Sequence, residues 1–168
     1  MQPGNFLIDE SGTLHNNGTV ITEHLGNLGL LNNNGLLQVG NINNYKSIIN
    51  TENANVSVLY DLINIDSALH AAVIINDGLV FVENDFVNGD TIKGLGHFCV
   101  VNSSVNNGSV EGTLDFCDLS GGGFDINTGS IANSVTFCSI TCTLSNKKNE
   151  KKSKLERSEE RRVGKECR

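Results

Sequence analysis

The chain has no tryptophan, one proline and one methionine, and alanine is scarce. Scarce alanine removes the best helix former, and a hydrophobic content carried by Leu, Val and Ile favours strands joined by tight turns. Basic residues are nearly missing from residues 1–146, which hold 14 Asp and Glu but only two cations, Lys46 and Lys93, and no arginine. That segment carries a formal charge of −12; residues 147–168, with ten Lys and Arg against five Glu, carry +5, and the whole chain −7. A body without a basic surface cannot neutralise phosphates, which excludes nucleic-acid binding. No apolar run approaches the roughly 18 residues that a membrane span requires. The opening MQPGNFLIDE has neither a basic n-region nor an apolar h-region, so it does not read as a signal peptide. Either Met1 is an internal methionine of a truncated gene, or export uses a signal not seen here.

What the 168 residues do contain is asparagine, 24 of them, and glycine, 18. From Gly12 to Gly40 a unit recurs: an apolar residue, one to three Asn, a Gly, then one or two apolar residues. Leu14-His15-Asn16-Asn17-Gly18-Thr19-Val20 is one copy, and Leu31-Asn32-Asn33-Asn34-Gly35-Leu36-Leu37 is the next, with the two glycines 17 residues apart. Self-similarity of this kind marks a stacked-repeat architecture. Gly and Asn both tolerate φ > 0, which suits sharp turns between short strands. When coils stack, equivalent Asn side chains can also form a hydrogen-bonded ladder. The alternative is a series of Asn-Gly hairpins in an antiparallel sheet. Hairpins predict strands of similar length on both sides of each turn, and short apolar spacers such as Leu28 and Leu30-Leu31 fit that poorly.

The unit returns at Val73 to Val82 and at Val100 to Val110. The lengthening gaps from Gly35 to Gly78 to Gly108 imply loop insertions, or a unit that lost its glycine, such as Asn53-Ala54-Asn55-Val56. Ser67 to Ala72 is the one candidate for a helical turn. The expected architecture is all-β: a parallel β-helix over residues 5–116, a short disulfide-linked β extension over 117–146, and a disordered or helical tail over 147–168. At about 20 residues per coil and a rise of about 4.8 Å, the helix should have about five or six coils and be about 25–30 Å long.

The repeat resembles the Asn/Gly-rich parallel β-helix regions of large secreted bacterial surface proteins, adhesins and autotransporter-like passengers among them. The stretch Leu114-Asp115-Phe116-Cys117, Asp125-Ile126-Asn127-Thr128-Gly129 and Val135-Thr136-Phe137-Cys138 is similar to Bacteroidota surface proteins exported by type IX secretion. The resemblance implies a secreted, cell-surface location. The last twelve residues, RSEERRVGKECR (157–168), resemble the in-frame translation of a common short-read sequencing adapter, codon by codon. This reading makes the chain a metagenomic fragment whose gene ran off an assembled end, and it excludes the tail from functional reasoning.

Outside that tail, which holds Cys167, the cysteines are Cys99, Cys117, Cys138 and Cys142. Four cysteines allow three pairings. An exported acidic protein favours disulfides, with Cys117–Cys138 closing a loop around Gly121-Gly122-Gly123. The alternative is a zinc set of His97, Cys99, Cys138 and Cys142, whose spacing matches no standard finger. Asp125 to Ile131 resembles a calcium loop but fails as an EF-hand, because Gly129 falls at loop position 5 and Thr136 stands at position 12. No dedicated cofactor or metal is expected, although weak calcium binding suits the acidic surface.

Polysaccharide lyases and glycoside hydrolases also use parallel β-helices. A hydrolase needs two carboxylates flanking the scissile bond. Asp61, Asp66, Asp85, Asp90 and Asp115 are candidates, yet none forms an adjacent pair. His15, His24, His70 and His97 are scattered, and Gly94-Leu95-Gly96-His97 only faintly resembles a polygalacturonase Gly-His-Gly. With no nucleophile, base and orienting partner at readable spacing, the expected function is a non-catalytic structural or adhesive segment. A glycan or a cell-surface protein is the expected partner. A carbohydrate-active β-helix enzyme is the competing class.

Overall fold

A computed structural model describes residues 4–66 and 70–142. The expectations for the tail 147–168, the adapter-like residues 157–168, residues 143–146 of the extension and positions 67–69 of the helical-turn candidate lie outside them. Within the described residues there is no helix, and residues 70–72 of that candidate are not helical.

The chain winds as a three-sided parallel β-solenoid. Face 1 holds β1 (Asn5–Ile8), the second halves of β3 (Thr19–Asn27) and β5 (Leu36–Asn44), β8 (Leu62–Asn64), β11 (Asp85–Asn88), β14 (Ser103–Asn106) and β17 (Ile126–Asn127). Face 2 holds β2 (Thr13–Asn16), β4 (Leu30–Asn33), β6 (Ser47–Asn50), β9 (Val73–Asn76), β12 (Thr91–Gly94), β15 (Ser109–Gly112) and β18 (Ser130–Ile131). Face 3 holds the first halves of β3 and β5, then β7 (Asn55–Val58), β10 (Leu79–Val82), β13 (His97–Val100), β16 (Asp115–Asp118) and β19 (Thr136–Phe137). Because β3 and β5 bend round a corner, faces 1 and 3 form one 12-stranded sheet, and face 2 is a sheet of seven strands, one per coil. Every pairing between these strands is parallel, so the hairpin alternative fails.

Leu14, Leu31, Ile48, Ile74, Ile92, Val110 and Ile131 occupy one column on face 2, which sets coil lengths of 17, 17, 26, 18, 18 and 21 residues. There are thus seven coils, six of them within residues 5–116 as expected and the seventh beyond. First and last coil are about 29 Å apart at a rise of about 4.8 Å. Strand β16 runs across position 116/117, and β17, β18 and β19 continue the parallel stacking, so the cysteine-bearing segment adds a further coil.

The core follows from strand alternation. Inward residues on face 3 stack as Leu37, Val56, Val80, Phe98 and Phe116, and those on face 1 as Leu25, Ile42, Leu62 and Phe86, all at most 2% exposed. Each such side chain contributes about 1.5–3 kcal/mol on burial. Towards the C-terminus the filling turns aromatic, and Phe124 stacks on Phe116 at a centroid distance of 3.8 Å, plugging that end.

The asparagines divide by position. Asn16, Asn33, Asn50 and Asn76 end the face 2 strands and form a buried ladder, each Nδ2 donating to the Oδ1 of the next coil at 2.7–2.8 Å. Asn27, Asn44, Asn64, Asn88, Asn106 and Asn127 form a second ladder on face 1 with the same polarity and the same spacing. The remaining amide hydrogens reach backbone carbonyls of the next coil, as Asn64 does to Thr91 and Asn88 to Ser109. The first ladder stops where Gly94 takes the next place, at φ 135°, and Asn76 there donates to the carbonyl of His97 instead.

The turn chemistry differs from the expectation. None of the described asparagines has a positive φ, and Gly18 and Gly35 do not either. Gly35 is required by close stacking: a Cβ there would lie 2.1 Å from the Gly18 carbonyl oxygen of the preceding coil.

Candidate functional site

The C-terminal end of face 3 gathers the cysteines. Cys99 pairs with Cys142 at a Cα separation of 5.9 Å, and Cys117 with Cys138 at 4.5 Å. The zinc alternative is thereby corrected, since the sulfurs of Cys99, Cys138 and Cys142 are all taken up in disulfides, Cys99 with Cys142 and Cys138 with Cys117. Among the described residues no group of His, Cys, Asp and Glu side chains is placed to hold a metal ion.

Residues 138–142 run back over the outside of face 3 as a strap, from coil seven to coil five. Asp115, on the outer side of face 3, anchors it. The carboxylate accepts the Thr136 hydroxyl at 2.8 Å and the backbone N–H groups of Ser139 and Ile140 at 3.0 and 3.1 Å. Burial pushes this carboxyl up, but the hydrogen bonds from Ser139, Thr136 and Ile140 outweigh it and hold its pKa below the ordinary value. His97 turns Nδ1 towards Asp115 Oδ2 at 3.7 Å, too long for a hydrogen bond, and Nδ1 has no such partner.

Of the other proposed acids, Asp61 and Asp85 meet on one corner of adjacent coils, each bonded to its surroundings, and the rest lie apart. Asp61 Oδ1 accepts Asn84 Nδ2 at 2.6 Å and the N–H of Asp85, and Asp85 accepts Asn102 Nδ2 at 2.7 Å, all on the corner from face 3 to face 1. Asp90 lies on the corner from face 1 to face 2, where it takes the Ala72 N–H at 2.7 Å. Asp66 is exposed in the insertion before β9. Asp125 accepts the Ser104 N–H, which with the Ser103 and Ser120 hydroxyls lowers its pKa, and Asn127 belongs to the ladder, so the calcium-loop residues are committed to the coil. His15 and His24 meet Asn32 and Asn41 of the next coil on exposed positions. In Gly94-Leu95-Gly96-His97, Gly96 serves stacking, a Cβ there lying 2.2 Å from the Gly78 carbonyl oxygen.

One groove was not anticipated. It lies on the corner from face 2 to face 3, has a volume of about 470 Å³, and is lined by Glu52, Asn53, Asp77, Leu79, Leu95 and His97 among others. Asp77 holds the Leu95 N–H at 3.0 Å, and Leu95, 69% exposed, projects beside it. The available signal was the 18-residue spacing of Asp77 and Leu95, which puts them at the same corner of consecutive coils.

These features define a parallel β-solenoid with two internal asparagine ladders and a disulfide-stapled strap. Comparison of the chain with protein-family models, with curated proteins and with solved structures found no match.

Proposed function

We propose that the chain is a non-catalytic, rod-forming segment of a secreted bacterial cell-surface protein of the adhesin type. The groove lined by Glu52, Asp77, Leu95 and His97 is its contact with a glycan or a second surface protein. The observation that carries the reading is the use to which the candidate acids are put. Asp61, Asp85 and Asp125 share the corner from face 3 to face 1, Asp90 lies on the next corner and Asp115 on face 3, and all five have carboxylate oxygens taken up by hydrogen bonds to neighbouring coils or to the strap. A hydrolase needs two carboxylates flanking one scissile bond. The cationic alternative is also weak, since Lys46 donates to the Glu10 carbonyl at 2.8 Å on a different corner. Disulfides suit an oxidising location, and a rod whose coils contact mainly their neighbours suits a spacer or display element.

The test incubates the full chain with a polysaccharide panel, with and without calcium, and screens the same glycans for binding. The expected result is no turnover, and binding that Leu95→Asp weakens at least tenfold. Turnover abolished by a single Asp→Asn substitution would establish the carbohydrate-active enzyme instead.

A further inference from the structure

We propose that the strap is a disulfide-exchange switch, in which Cys117 can pair with either of two neighbours in one column. Cys99 and Cys117 are register partners on adjacent strands of face 3. Phe116 is likewise opposite Phe137, which puts Cys138 opposite Cys117. Cys99, Cys117 and Cys138 therefore follow one another at the coil rise of about 4.8 Å. A disulfide needs a Cα separation of about 4.4–6.8 Å. Cys99 and Cys117, register partners at that rise, fall inside this range, and Cys138, just past the end of β19, is already bonded to Cys117 at 4.5 Å. Cys117 is thus within bonding range of Cys99 as well. The four cysteines support a second complete pairing, Cys99–Cys117 with Cys138–Cys142, which leaves the strap tied only to itself.

The two pairings interconvert without net oxidation. Cys138 is exposed, whereas Cys99 and Cys117 are 3% and 4% exposed, so a small external thiol reaches the strap side first. Its thiolate attacks Cys138 Sγ, forms a mixed disulfide there and expels Cys117 as a thiolate. Cys117 attacks Cys99 Sγ, forms Cys99–Cys117 and expels Cys142. Cys142 attacks the mixed disulfide at Cys138, forms Cys138–Cys142 and returns the small thiol. Two disulfides are present before and after. Two features set the balance. The bonds from Ser139 and Ile140 to Asp115 hold the strap closed. Opposing them, Cys138 is the one described residue with a side chain at positive φ, 49°, and release lets it relax. Opening frees the Asp115 carboxylate beside His97, at the edge of the corner groove.

The test uses the full chain carrying Cys167→Ser, so that only the four cysteines report. Adding Cys138→Ser leaves one thiol among Cys99, Cys117 and Cys142. After denaturation and alkylation, cleavage before aspartate separates the three, because Asp115, Asp118 and Asp125 lie between them. The expected label is on Cys142, with the Cys99 and Cys117 peptides joined. A label confined to Cys117, with Cys99 still joined to Cys142, would overturn the switch. In parallel, the chain with all four cysteines is equilibrated with catalytic glutathione. Cys99–Cys117 is expected to appear, with Ser139 and Ile140 amides exchanging at least tenfold faster in that isomer. Recovery of the starting pairing alone would likewise refute it.

Discussion

Asn88 stands in the middle of the longer ladder, and its replacement measures what the ladder contributes. It is fully buried. It accepts from Asn64 Nδ2 at 2.8 Å and donates to Asn106 Oδ1 at 2.7 Å and to the Ser109 carbonyl at 3.2 Å. Asn88→Ala orphans a donor hydrogen on one side and an acceptor on the other. Each buried unsatisfied group costs about 1–3 kcal/mol, so the loss should be about 4 kcal/mol. With a urea slope of about 2 kcal/mol per M, the midpoint should fall by about 2 M. Asn127 is exposed and takes part in one ladder bond, with Asn106, so Asn127→Ala should cost about 1 kcal/mol. Asn88→Asp adds a sharper discrimination. The shape is kept, but at neutral pH a second oxygen faces Asn106 Oδ1 in a site that cannot hydrate a charge. Burial raises this carboxyl above its unfolded value, so the loss is largest at pH 7 and shrinks as the pH falls through the raised pKa and the acid can donate. Far-UV circular dichroism in urea reads all three variants, since the chain has no tryptophan. Equal losses for Asn88→Ala and Asn127→Ala, or an Asn88→Asp variant as stable as wild type at pH 7, would refute the ladder argument.

Two further outcomes are expected. Gly35→Ala forces a Cβ to 2.1 Å from a backbone oxygen and should cost about 2–3 kcal/mol, whereas Gly18→Ala, with nothing within 4 Å, should stay within about 0.5 kcal/mol; thermal melts compare them. Asp115 has a folded pKa below the ordinary carboxylate value, held there against burial by the hydrogen bonds from Ser139, Thr136 and Ile140. Its contribution is therefore complete above about pH 4 and is lost as the pH falls through the lowered value. Hydrogen exchange at Ser139 and Ile140, corrected for intrinsic rates, should lose protection over that acidic window, and Asp115→Asn should flatten the dependence.

The stacking was legible because Gly18 and Gly35 fall one coil apart, and strand alternation then fixes which Leu, Ile and Val turn inward. What the composition could not convey is which asparagine is which. Asn16 and Asn17 are neighbours of the same type, yet Asn16 ends its strand inside the coil and Asn17 stands in solvent. Only the strand boundary separates them. The glycine argument reached the right architecture for the wrong reason, since a φ-based rule does not see the carbonyl of the coil below. The cysteine column was readable and missed: Cys99 and Cys117 are 18 residues apart, the length of the coils on either side. In the sequence Cys117 and Cys138 read as closing a loop around Gly121 to Gly123, whereas both lie in the column that Cys99 begins. The corner groove escaped because it needs the three-sided shape before Glu52, Asp77 and His97 can be neighbours.

The acidic composition itself has a structural origin that bears on function. At a corner the chain changes direction, and some N–H groups there point along the axis with no strand partner. A buried or half-buried N–H without a partner is costly. Asp61, Asp77, Asp90, Asp115, Asp118 and Asp125 each accept at least one backbone N–H. Among the described residues no glutamate side chain does so; Glu111, for example, meets the Ser109 hydroxyl. Aspartate is suited to the task because its carboxylate reaches the backbone of its own or the adjacent coil across one methylene. The negative charge is then a by-product of finishing corners with carboxylates, and it is spread over three edges of the rod. A catalytic or cation-binding surface would instead collect charge on one face with its oxygens unspent. In the corner groove Glu52 stands beside Asp77 and His97. The juxtaposition of Glu52, Asp77 and the exposed Leu95 supports the contact proposed for this groove, whereas the aspartates bonded to backbone N–H groups serve the coil.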